Sequence, residues 1–328
     1  MTDAGPGLTV GVDIGGTKVA GAAVDAAGAV AARVLARTPH RSMAPDVVET
    51  TIVEVVEAVV AQVGRGRVRA VGIGAAGFVA ADRATVTFAP HLSWRQEPLG
   101  EALQQRIGLP VTVDNDANAA AWAEWRFGAG RGESHLLVVN LGTGIGGGIV
   151  LDGQVHRGRH GLAGEFGHLR VVPDGRPCEC GNRGCWEQYA SGNVLVRRAE
   201  ALLASTSPLA TDLRARVQSA GELTGSLVTA AAAAGDPAAT EMLAEVGDWL
   251  GVGIADLAAA FDPGTVVVGG GVSQAGELLL GPARAAYARQ LTGRGFRPLA
   301  RIVPAALGPD AGLVGAADLA RLALAPER

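Results

Sequence analysis

Residues 8–18 have the sequence LTVGVDIGGTK, and residues 135–148 have the sequence HLLVVNLGTGIGGG. In each stretch an apolar strand runs into a turn of glycine and threonine, and a second apolar strand follows, at 19–24 and 149–151. This weak internal repeat predicts two related α/β domains, each built around such a turn. Neither turn has the spacing of a P-loop, and neither opens a helix as a dinucleotide fingerprint does.

The two turns are candidate phosphate-binding sites. Their glycines allow backbone N–H groups to approach phosphate oxygens, and both turns contain a threonine hydroxyl. Asp13, at the end of the first strand, is well placed to hold Mg²⁺ directly or through water. Lys18 is the one lysine among 28 basic residues, which favours a functional role. The predicted contacts to phosphate and its metal are Asp13, Gly15, Gly16, Thr17, Lys18, Gly142, Thr143 and Gly144.

A second cluster contains all three cysteines of the chain. One histidine and three cysteines form a Cys₃His set, which is typical of a closed, structural zinc site. The predicted ligands are His168, Cys178, Cys180 and Cys185. We expect the metal to pin a loop that presents Glu165, His168 and Glu187 to a ligand.

Residues 114–118, Asp-Asn-Asp-Ala-Asn, lie between a predicted strand and a predicted helix. A carboxylate at the carboxyl end of a strand occupies a usual catalytic position in α/β proteins, but Asp114, Asn115 and Asp116 are also good helix N-caps. We expect one of them to cap the helix and Asp116 to accept a proton from a substrate hydroxyl. A carboxylate at a helix N-terminus is a weak base, which suffices for a loose phosphoryl transfer. Together with the carboxylates near the zinc loop, these groups suit a polyhydroxylated ligand such as a sugar.

Composition narrows the class of protein. The chain has 328 residues, of which 48% are hydrophobic, enough for two domains. Its net charge of −4 gives no sign of nucleic-acid binding. The start, MTDAGPGLTV, lacks the pattern of a signal peptide, and no apolar run is long enough to span a bilayer. Because clustered cysteines suit a reducing compartment, we expect a cytoplasmic protein without membrane or nucleic-acid partners.

Apolar periodicity predicts the remaining elements. An Ala-rich helical region is expected at 194–261, with breaks at Pro208, Gly221 and Pro237. Further helices are expected at 45–63, 97–107, 116–127, 276–291 and 310–324. Strands are expected at 8–13, 19–24, 29–36, 68–74, 110–113, 135–140, 149–151 and 265–268.

Five motifs together resemble the ROK family (repressors and sugar kinases), in its bacterial ATP-dependent glucokinase branch. They are DIGGTK at 13–18, DNDAN at 114–118, LGTGIGGG at 141–148, EFGH at 165–168 and CECGNRGCWE at 178–187. The resemblance covers the chain from Leu8 to Leu324 and implies the actin-like ATPase (ribonuclease H-like) fold, with two α/β domains around a central cleft. It implies a small domain at 1–116, completed by a C-terminal helix at 310–326, and a large domain at 117–309 that holds the zinc loop.

The resemblance also implies an activity, the transfer of the ATP γ-phosphoryl group to the 6-hydroxyl of glucose, with Mg²⁺ and a structural Zn²⁺. Asp116 matches the family's catalytic base. The sugar contacts that the family pattern implies are Gly77, Asn115, Asp116, Glu165, His168 and Glu187. The glycines near the adenosine correspond to Gly269, Gly270 and Gly271.

One position departs from the family pattern, because His91 stands where the family often has Asn. The match at Lys18 is less specific, because relatives place other residues there. The alternatives are a kinase for mannose, fructose, N-acetylglucosamine or N-acetylmannosamine, and a non-catalytic sugar-responsive regulator. The regulator is disfavoured, because the first strand starts at Leu8 and leaves no room for a helix-turn-helix domain. A polyphosphate-using kinase is a further, weaker alternative. By analogy we expect a homo-oligomer, a dimer or a tetramer.

Overall fold

The computed structural model describes residues 7–324, whose strands form two five-stranded sheets and one three-stranded sheet. The strands are β1 (Leu8–Ile14), β2 (Lys18–Val24), β3 (Val30–Arg37), β4 (Val68–Ala75), β5 (Phe78–Val79), β6 (Val86–Phe88), β7 (Arg95–Glu97), β8 (Val111–Asn115), β9 (His135–Leu141), β10 (Ile145–Leu151), β11 (Gln154–Val155), β12 (Thr265–Gly269) and β13 (Arg301–Pro304). The α-helices are α1 (Pro45–Val63), α2 (Leu99–Ile107), α3 (Asp116–Arg126), α4 (Gly192–Leu203), α5 (Thr211–Ala220), α6 (Gly225–Ala233), α7 (Pro237–Phe261), α8 (Glu277–Gln290) and α9 (Ala311–Ala323).

The two large sheets have the same strand order. The first is ordered β3-β2-β1-β4-β8 and the second β11-β10-β9-β12-β13. If the five strands of each sheet are numbered by their order along the chain, both sheets have the order 3-2-1-4-5. In the first sheet β1 is antiparallel to β2 and parallel to β4. In the second, β12 is parallel to both β9 and β13. The predicted internal repeat is therefore confirmed at the level of sheet topology.

Helix boundaries follow their local signals. Helix α1 spans the predicted residues and ends at Gly64, whose φ of 91° interrupts the helix while its N–H caps Val60 O. The predicted breaks in the Ala-rich region are confirmed, because Pro208 precedes α5, Gly221 ends it in a left-handed conformation, and Pro237 begins α7. Among the described residues, no helix is both long and apolar enough to cross a membrane.

The strand predictions fail where the pattern is short or rich in glycine. The antiparallel three-stranded sheet β5-β6-β7 was not predicted, because strands of two or three residues carry no readable alternation. The strands β11 and β13 were also missed. Strand β10 begins at Ile145, before the predicted start at Ile149. The prediction missed this part of the strand because Gly146, Gly147 and Gly148 have no side chains and so show no apolar–polar alternation.

Of the described residues, one compact unit contains 7–132, Gly148–Gly164 and 307–324. One face of its sheet packs on α1, where Val12 and Ile73 join Ile52 in a wholly buried cluster. The other face packs on α3 and α9, through residues such as Ala120 and Leu313. This packing is why α3 belongs to this unit and why the unit does not end at the predicted boundary, residue 116.

The second compact unit contains Glu133–Gly147 and Glu165–Ala306. Its strand β12 is completely buried, from Thr265 to Gly269. Helices α7 and α8 approach each other closely at Gly247. A Cβ at this position would lie 2.5 Å from Leu279 O, so the approach requires glycine. Further along α7, the Trp186 indole ring packs directly against the backbone of Gly253. Trp186 is fully buried and donates its indole N–H to Trp249 O at 2.8 Å.

Candidate active site

The first glycine turn is closed by its own backbone and pinned by Thr38. Gly15 N–H donates to Lys18 O at 3.0 Å, and Thr38 donates through its hydroxyl to Gly15 O at 2.7 Å and through its N–H to Thr17 O at 3.1 Å. Gly16, Thr17 and Lys18 are exposed. The turn thus presents backbone and hydroxyl donors to solvent on a fixed frame, as the phosphate-binding prediction requires. Thr38 was not predicted, since its partners lie more than one strand away along the chain.

Asp13 lies at the carboxyl end of β1 and faces the start of α9. A Cβ at Gly312 would lie 3.1 Å from its Cγ, so a larger residue there would crowd the carboxylate. Burial raises the pKa of Asp13, and the positive charge of Lys18 opposes that rise. A carboxylate of this kind, at a strand end beside a phosphate-binding turn, fits a Mg²⁺ ligand, because a bound cation would stabilise its charge.

His91 lies against the first glycine turn. A Cβ at Gly16 would lie 3.4 Å from the Cβ of His91, which is ordinary van der Waals contact. The imidazole is exposed. The residue that departs from the family pattern therefore borders the predicted phosphate contacts.

Asn115 is the N-cap of α3. Its Oδ1 accepts hydrogen bonds from Ala117 N at 2.9 Å and Asn118 N at 3.0 Å, and its Nδ2 donates to Gly77 O at 3.1 Å. A Cβ at Gly77 would lie 2.6 Å from Phe88 O, so the close approach of this loop requires glycine. The predicted sugar contacts Gly77 and Asn115 are thus joined by a direct hydrogen bond.

Asp116 is the first residue of α3 and is half-buried. Its Oδ1 accepts a hydrogen bond from Ala117 N at 2.9 Å. Gly74, the partner of Asp13 across the β1–β4 ladder, lies beside it, because a Cβ at Gly74 would be 3.6 Å from Asp116 Cα. Asp13, at the end of β1, and Asp116, which follows β8, thus lie at the same edge of one sheet with β4 between their strands, where ligands bind in α/β proteins.

Asp114 does not point to a ligand but is buried in an ion-pair cluster. Arg157 Nη2 lies 2.6 Å from its Oδ2, Arg157 Nε lies 3.0 Å from the same oxygen, and Arg83 Nε lies 3.4 Å from it. Burial lowers the pKa of Arg83, and Arg157 adds to that effect while Asp114 opposes it. The prediction that one of the three polar residues caps the helix is confirmed, with Asn115 as the cap. The sequence did not predict that Arg83 and Arg157 pair with Asp114, because no neighbouring motif marks either arginine as a partner of this carboxylate.

The four predicted metal ligands of the second unit come together. Ligand atoms of His168, Cys178, Cys180 and Cys185 all lie within 4.8 Å of one another. Cys180 Sγ lies 3.6 Å from Cys185 Sγ, and Cys178 Sγ lies 3.7 Å from His168 Nδ1. Sulfur ligands about 2.3 Å from a tetrahedral zinc ion lie about 3.8 Å apart. The donor set and its spacing therefore fit a four-coordinate zinc ion.

The pKa values of two of the thiols indicate that a bound cation would be needed to hold them as thiolates. Burial raises the pKa of Cys178 to about 12, and burial with the neighbouring Cys180 raises the pKa of Cys185. Zinc binds thiolates, and its charge would stabilise them. The turn between the ligands closes through Gly181 N–H to Cys178 O at 3.0 Å, with Gly181 at a φ of 90° that favours glycine.

Glu187 connects the cysteine cluster with the second glycine turn. Its Oε1 lies 3.1 Å from Cys178 Sγ and 3.6 Å from His168 Nδ1. Its Oε2 faces Gly144, where a Cβ would lie 2.5 Å from this oxygen. Burial raises the pKa of nearby Glu165. The interaction with His168 opposes this rise, and the interaction with Glu187 adds to it. The predicted acceptor set of Glu165, His168 and Glu187 is thus assembled around the cluster.

The second glycine turn is tied to the start of α4. Gly142 N–H donates to Gly144 O at 3.0 Å, and Gly142 O accepts from Gly192 N at 2.8 Å. Gly142 and Thr143 are exposed. The predicted adenosine glycines follow β12 in the same sheet: Gly269 is buried, Gly270 has a φ of 83° and approaches the Leu141 backbone, and Gly271 is exposed.

Comparison with known proteins identifies the family to which these motifs belong. Residues 9–323 match the family model of the ROK family. The chain is 49% identical to the glucokinase of Streptomyces coelicolor over 316 residues, which are 96% of this chain and 98% of that protein.

Solved structures agree. A ROK family glucokinase from Streptomyces griseus, in complex with glucose and AMPPNP, is 50% identical with a TM-score of 0.85, over 96% of this chain and 100% of that chain. The ROK hexokinase from Thermus thermophilus is 35% identical with a TM-score of 0.79, over 97% and 99%. The expected actin-like ATPase fold is confirmed by these matches. Because the family model and these relatives extend over almost the whole sequence, the chain belongs to the ROK family.

Proposed function

We propose that this protein is an ATP-dependent glucokinase that transfers the γ-phosphoryl group of ATP to the 6-hydroxyl of glucose. The observation that carries the proposal is the similarity, 50% identity over 96% of the chain, to a glucokinase crystallised with glucose and AMPPNP. The local geometry supports it, because a capped helix start presents Asp116 beside Asn115, and Glu165, His168 and Glu187 lie close together around the cysteine cluster.

In the proposed reaction, the bond between O6 and the γ-phosphorus forms as the bond to the β,γ-bridging oxygen breaks, and ADP leaves. Asp116 accepts the proton of the 6-hydroxyl. As a weak base at a helix N-terminus it mainly orients the hydroxyl, which suffices for a loose transition state. Asn115 is held by Gly77 on one side and by two helix N–H groups on the other, so the first turn of α3 is rigid before substrate binds.

The glycine turns are proposed to bind the phosphates of ATP. Gly15, Gly16, Thr17 and Lys18 contribute from the first turn, and Gly142, Thr143 and Gly144 from the second, with Gly269, Gly270 and Gly271 near the adenosine. Asp13 would hold Mg²⁺, which when bound neutralises charge on the phosphate oxygens. His168, Cys178, Cys180 and Cys185 would hold a structural Zn²⁺ that fixes the loop carrying Glu187. We further propose a cytoplasmic homo-oligomer, a dimer or tetramer, which light scattering on the purified protein would test.

The first experiment is a panel of acceptors with ATP and Mg²⁺: glucose, mannose, fructose, N-acetylglucosamine and N-acetylmannosamine. We expect glucose to have the highest kcat/KM. A different preferred hexose would change the specificity and keep the kinase assignment, in line with the similarity to a ROK hexokinase. If the sugars bind but none is phosphorylated with ATP, the kinase assignment with this donor is wrong, and polyphosphate is the next donor to test.

The role of Asp116 has its own test. Asp116→Ala should lower kcat by at least about 100-fold, the scale of general acid–base catalysis, while glucose still binds by calorimetry. Asp212→Ala is the matched control, since Asp212 also lies in the first turn of a helix, α5, and is exposed. Turnover retained in Asp116→Ala would remove this residue as the base.

A further inference from the structure

The Asp114 cluster places two guanidinium groups on one buried carboxylate. Arg157 approaches it with two nitrogens, Nε at 3.2 Å from Oδ1 and 3.0 Å from Oδ2, and Nη2 at 2.6 Å from Oδ2. Arg83 adds a second positive charge at 3.4 Å. The side chain of Asp114 is 4% exposed, so solvent screens this cluster little. Two charge-assisted contacts from one planar group fix the direction of the carboxylate as well as its place.

The same carboxylate is bonded to the first turn of α3. Asp114 Oδ1 accepts a hydrogen bond from Asn115 N at 3.1 Å and from Asn118 Nδ2 at 3.3 Å. Asn115 is the cap of the helix, and Asp116 is its first residue. The orientation of Asp114 therefore sets the backbone from which Asp116 projects.

Arg157 is itself held at several points. Its carbonyl accepts a hydrogen bond from Ala163 N at 3.0 Å, and its Nη1 donates to Val155 O at 3.3 Å. Arg83 is held through its backbone, because Val113 N–H, on the strand that leads to Asp114, donates to Arg83 O at 2.8 Å. Arg157 is thus anchored through its guanidinium group and its backbone, and Arg83 through its backbone, so Arg157 can act as the main support of the carboxylate.

We propose that Arg157, assisted by Arg83, is a positioning residue for phosphoryl transfer: through Asp114 it holds Asn115 and Asp116 in the orientation that the reaction needs. The inference rests on the proposed function. Lysine would not replace Arg157, because an ammonium group cannot form the two-nitrogen contact. A small displacement of a catalytic group lowers kcat while the binding of ATP, which uses other residues, is unchanged.

A second cluster in the same unit provides the matched control. The buried Asp318 also faces two arginines, with Arg321 Nη1 at 2.6 Å and Arg126 Nε at 3.3 Å. The side chains of Arg321 and Arg157 are both 21% exposed. Asp318 bonds Trp122 within the α3–α9 pair and does not bond the first turn of α3. Arg321 also donates to Thr9 Oγ1 at 2.7 Å and to Val24 O at 2.8 Å, so it ties α9 to the sheet, and its loss should cost stability but not turnover by the folded protein.

The test compares Arg157→Met, Arg157→Lys and Arg321→Met, with kcat, both KM values, Tm and glucose binding measured for each. Arg157→Met should lower kcat about tenfold to 100-fold with the KM for ATP unchanged, and Arg157→Lys should recover only part of that loss. Arg321→Met should lower Tm and keep kcat. Equal loss of kcat in Arg157→Met and Arg321→Met, or no loss in Arg157→Met, overturns the inference.

Two further outcomes keep the test decisive. If Arg157→Met does not fold, Arg157→Lys decides alone, and a wild-type kcat in that variant overturns the inference. In an Asp114→Asn background, Arg157→Met should add little further loss, because the carboxylate that transmits its effect is gone. A wild-type protein inactive on every sugar overturns the proposed function together with this inference, whereas an active wild type with an unaffected Arg157→Met overturns the inference alone.

Discussion

The ends of β1 and β9 occupy equivalent places in two sheets of the same strand order, but they carry different side chains. Asp13 opposes Gly74 at the end of β1, and Asn140 opposes Gly269 at the end of β9. The first end has a half-buried carboxylate and the second has a half-buried amide. One scaffold thus provides two glycine turns, of which only the first has an acidic residue for a phosphate-bound metal.

The surroundings of the two turns differ as well. The first is pinned by Thr38 and bordered by His91, whereas the second is bordered by Glu187 of the cysteine loop. The comparison indicates that the first turn is specialised for phosphate and its metal. The second turn is structurally connected to the residues proposed to bind sugar. Four variants test this division and are given in order of decreasing expected effect.

Cys180→Ser should have the largest effect, because it removes a ligand of the proposed zinc ion and releases the loop that holds Glu187 beside the second turn. We expect zinc to be lost and kcat/KM for sugar to fall by more than about 100-fold, beyond the usual cost of losing an outer-shell partner. Metal analysis and steady-state kinetics measure both. Full activity in a zinc-free variant would contradict a structural role for the metal.

Asp13→Asn tests the metal assignment of the first turn. Replacing the half-buried carboxylate with the amide found at the equivalent position of the second sheet should raise the Mg²⁺ concentration for half-maximal activity about tenfold. Titration of Mg²⁺ at fixed ATP measures this. Asp25→Asn, in the β2–β3 turn of the same unit, is the control, because the Asp25 carboxylate accepts hydrogen bonds from the local N–H groups of Ala27 and Ala29. An unchanged Mg²⁺ requirement in Asp13→Asn would move the metal to another residue.

Gly144→Ala tests the link between the second turn and Glu187. The new Cβ would lie 2.5 Å from Glu187 Oε2, so that side chain must move, and we expect the KM for sugar to rise about fivefold. At Gly142, in the same turn, a Cβ meets no described atom within 4 Å, so Gly142→Ala should leave the sugar KM unchanged. Equal sugar KM values in the two variants would show that Glu187 does not depend on this turn.

Lys18→Met should have the smallest effect. The side chain is exposed at the mouth of the first turn, and an exposed charge contributes little, so the KM for ATP should rise only about two- to fivefold. The KM for sugar should not change, because Lys18 belongs to the phosphate turn. Unchanged kinetics for both substrates would mean that the single lysine of the chain has no role in catalysis.

Local patterns predicted much of the site. The spacing of His168 and the three cysteines is contained in a short segment, so their assembly could be expected before the structure. Helix α1 and the breaks at Gly221 and Pro237 were likewise predictable, since glycine and proline act on their own backbone. Asp114 shows the limit: its type and position suit a cap or a catalytic group equally well.

The sequence was enough to predict the repeated strand–turn–strand unit, the helices with clear boundaries, and the cysteine cluster, because each depends on residues close together along the chain. Three features depend on the folded chain: Asn115 caps α3, Asp114 is enclosed by Arg83 and Arg157, and α3 packs with the first sheet. Arg157 is 43 residues from Asp114 along the chain. The buried Asp114 carboxylate is paired with cations, but which of many arginines supplies them depends on how the chain folds.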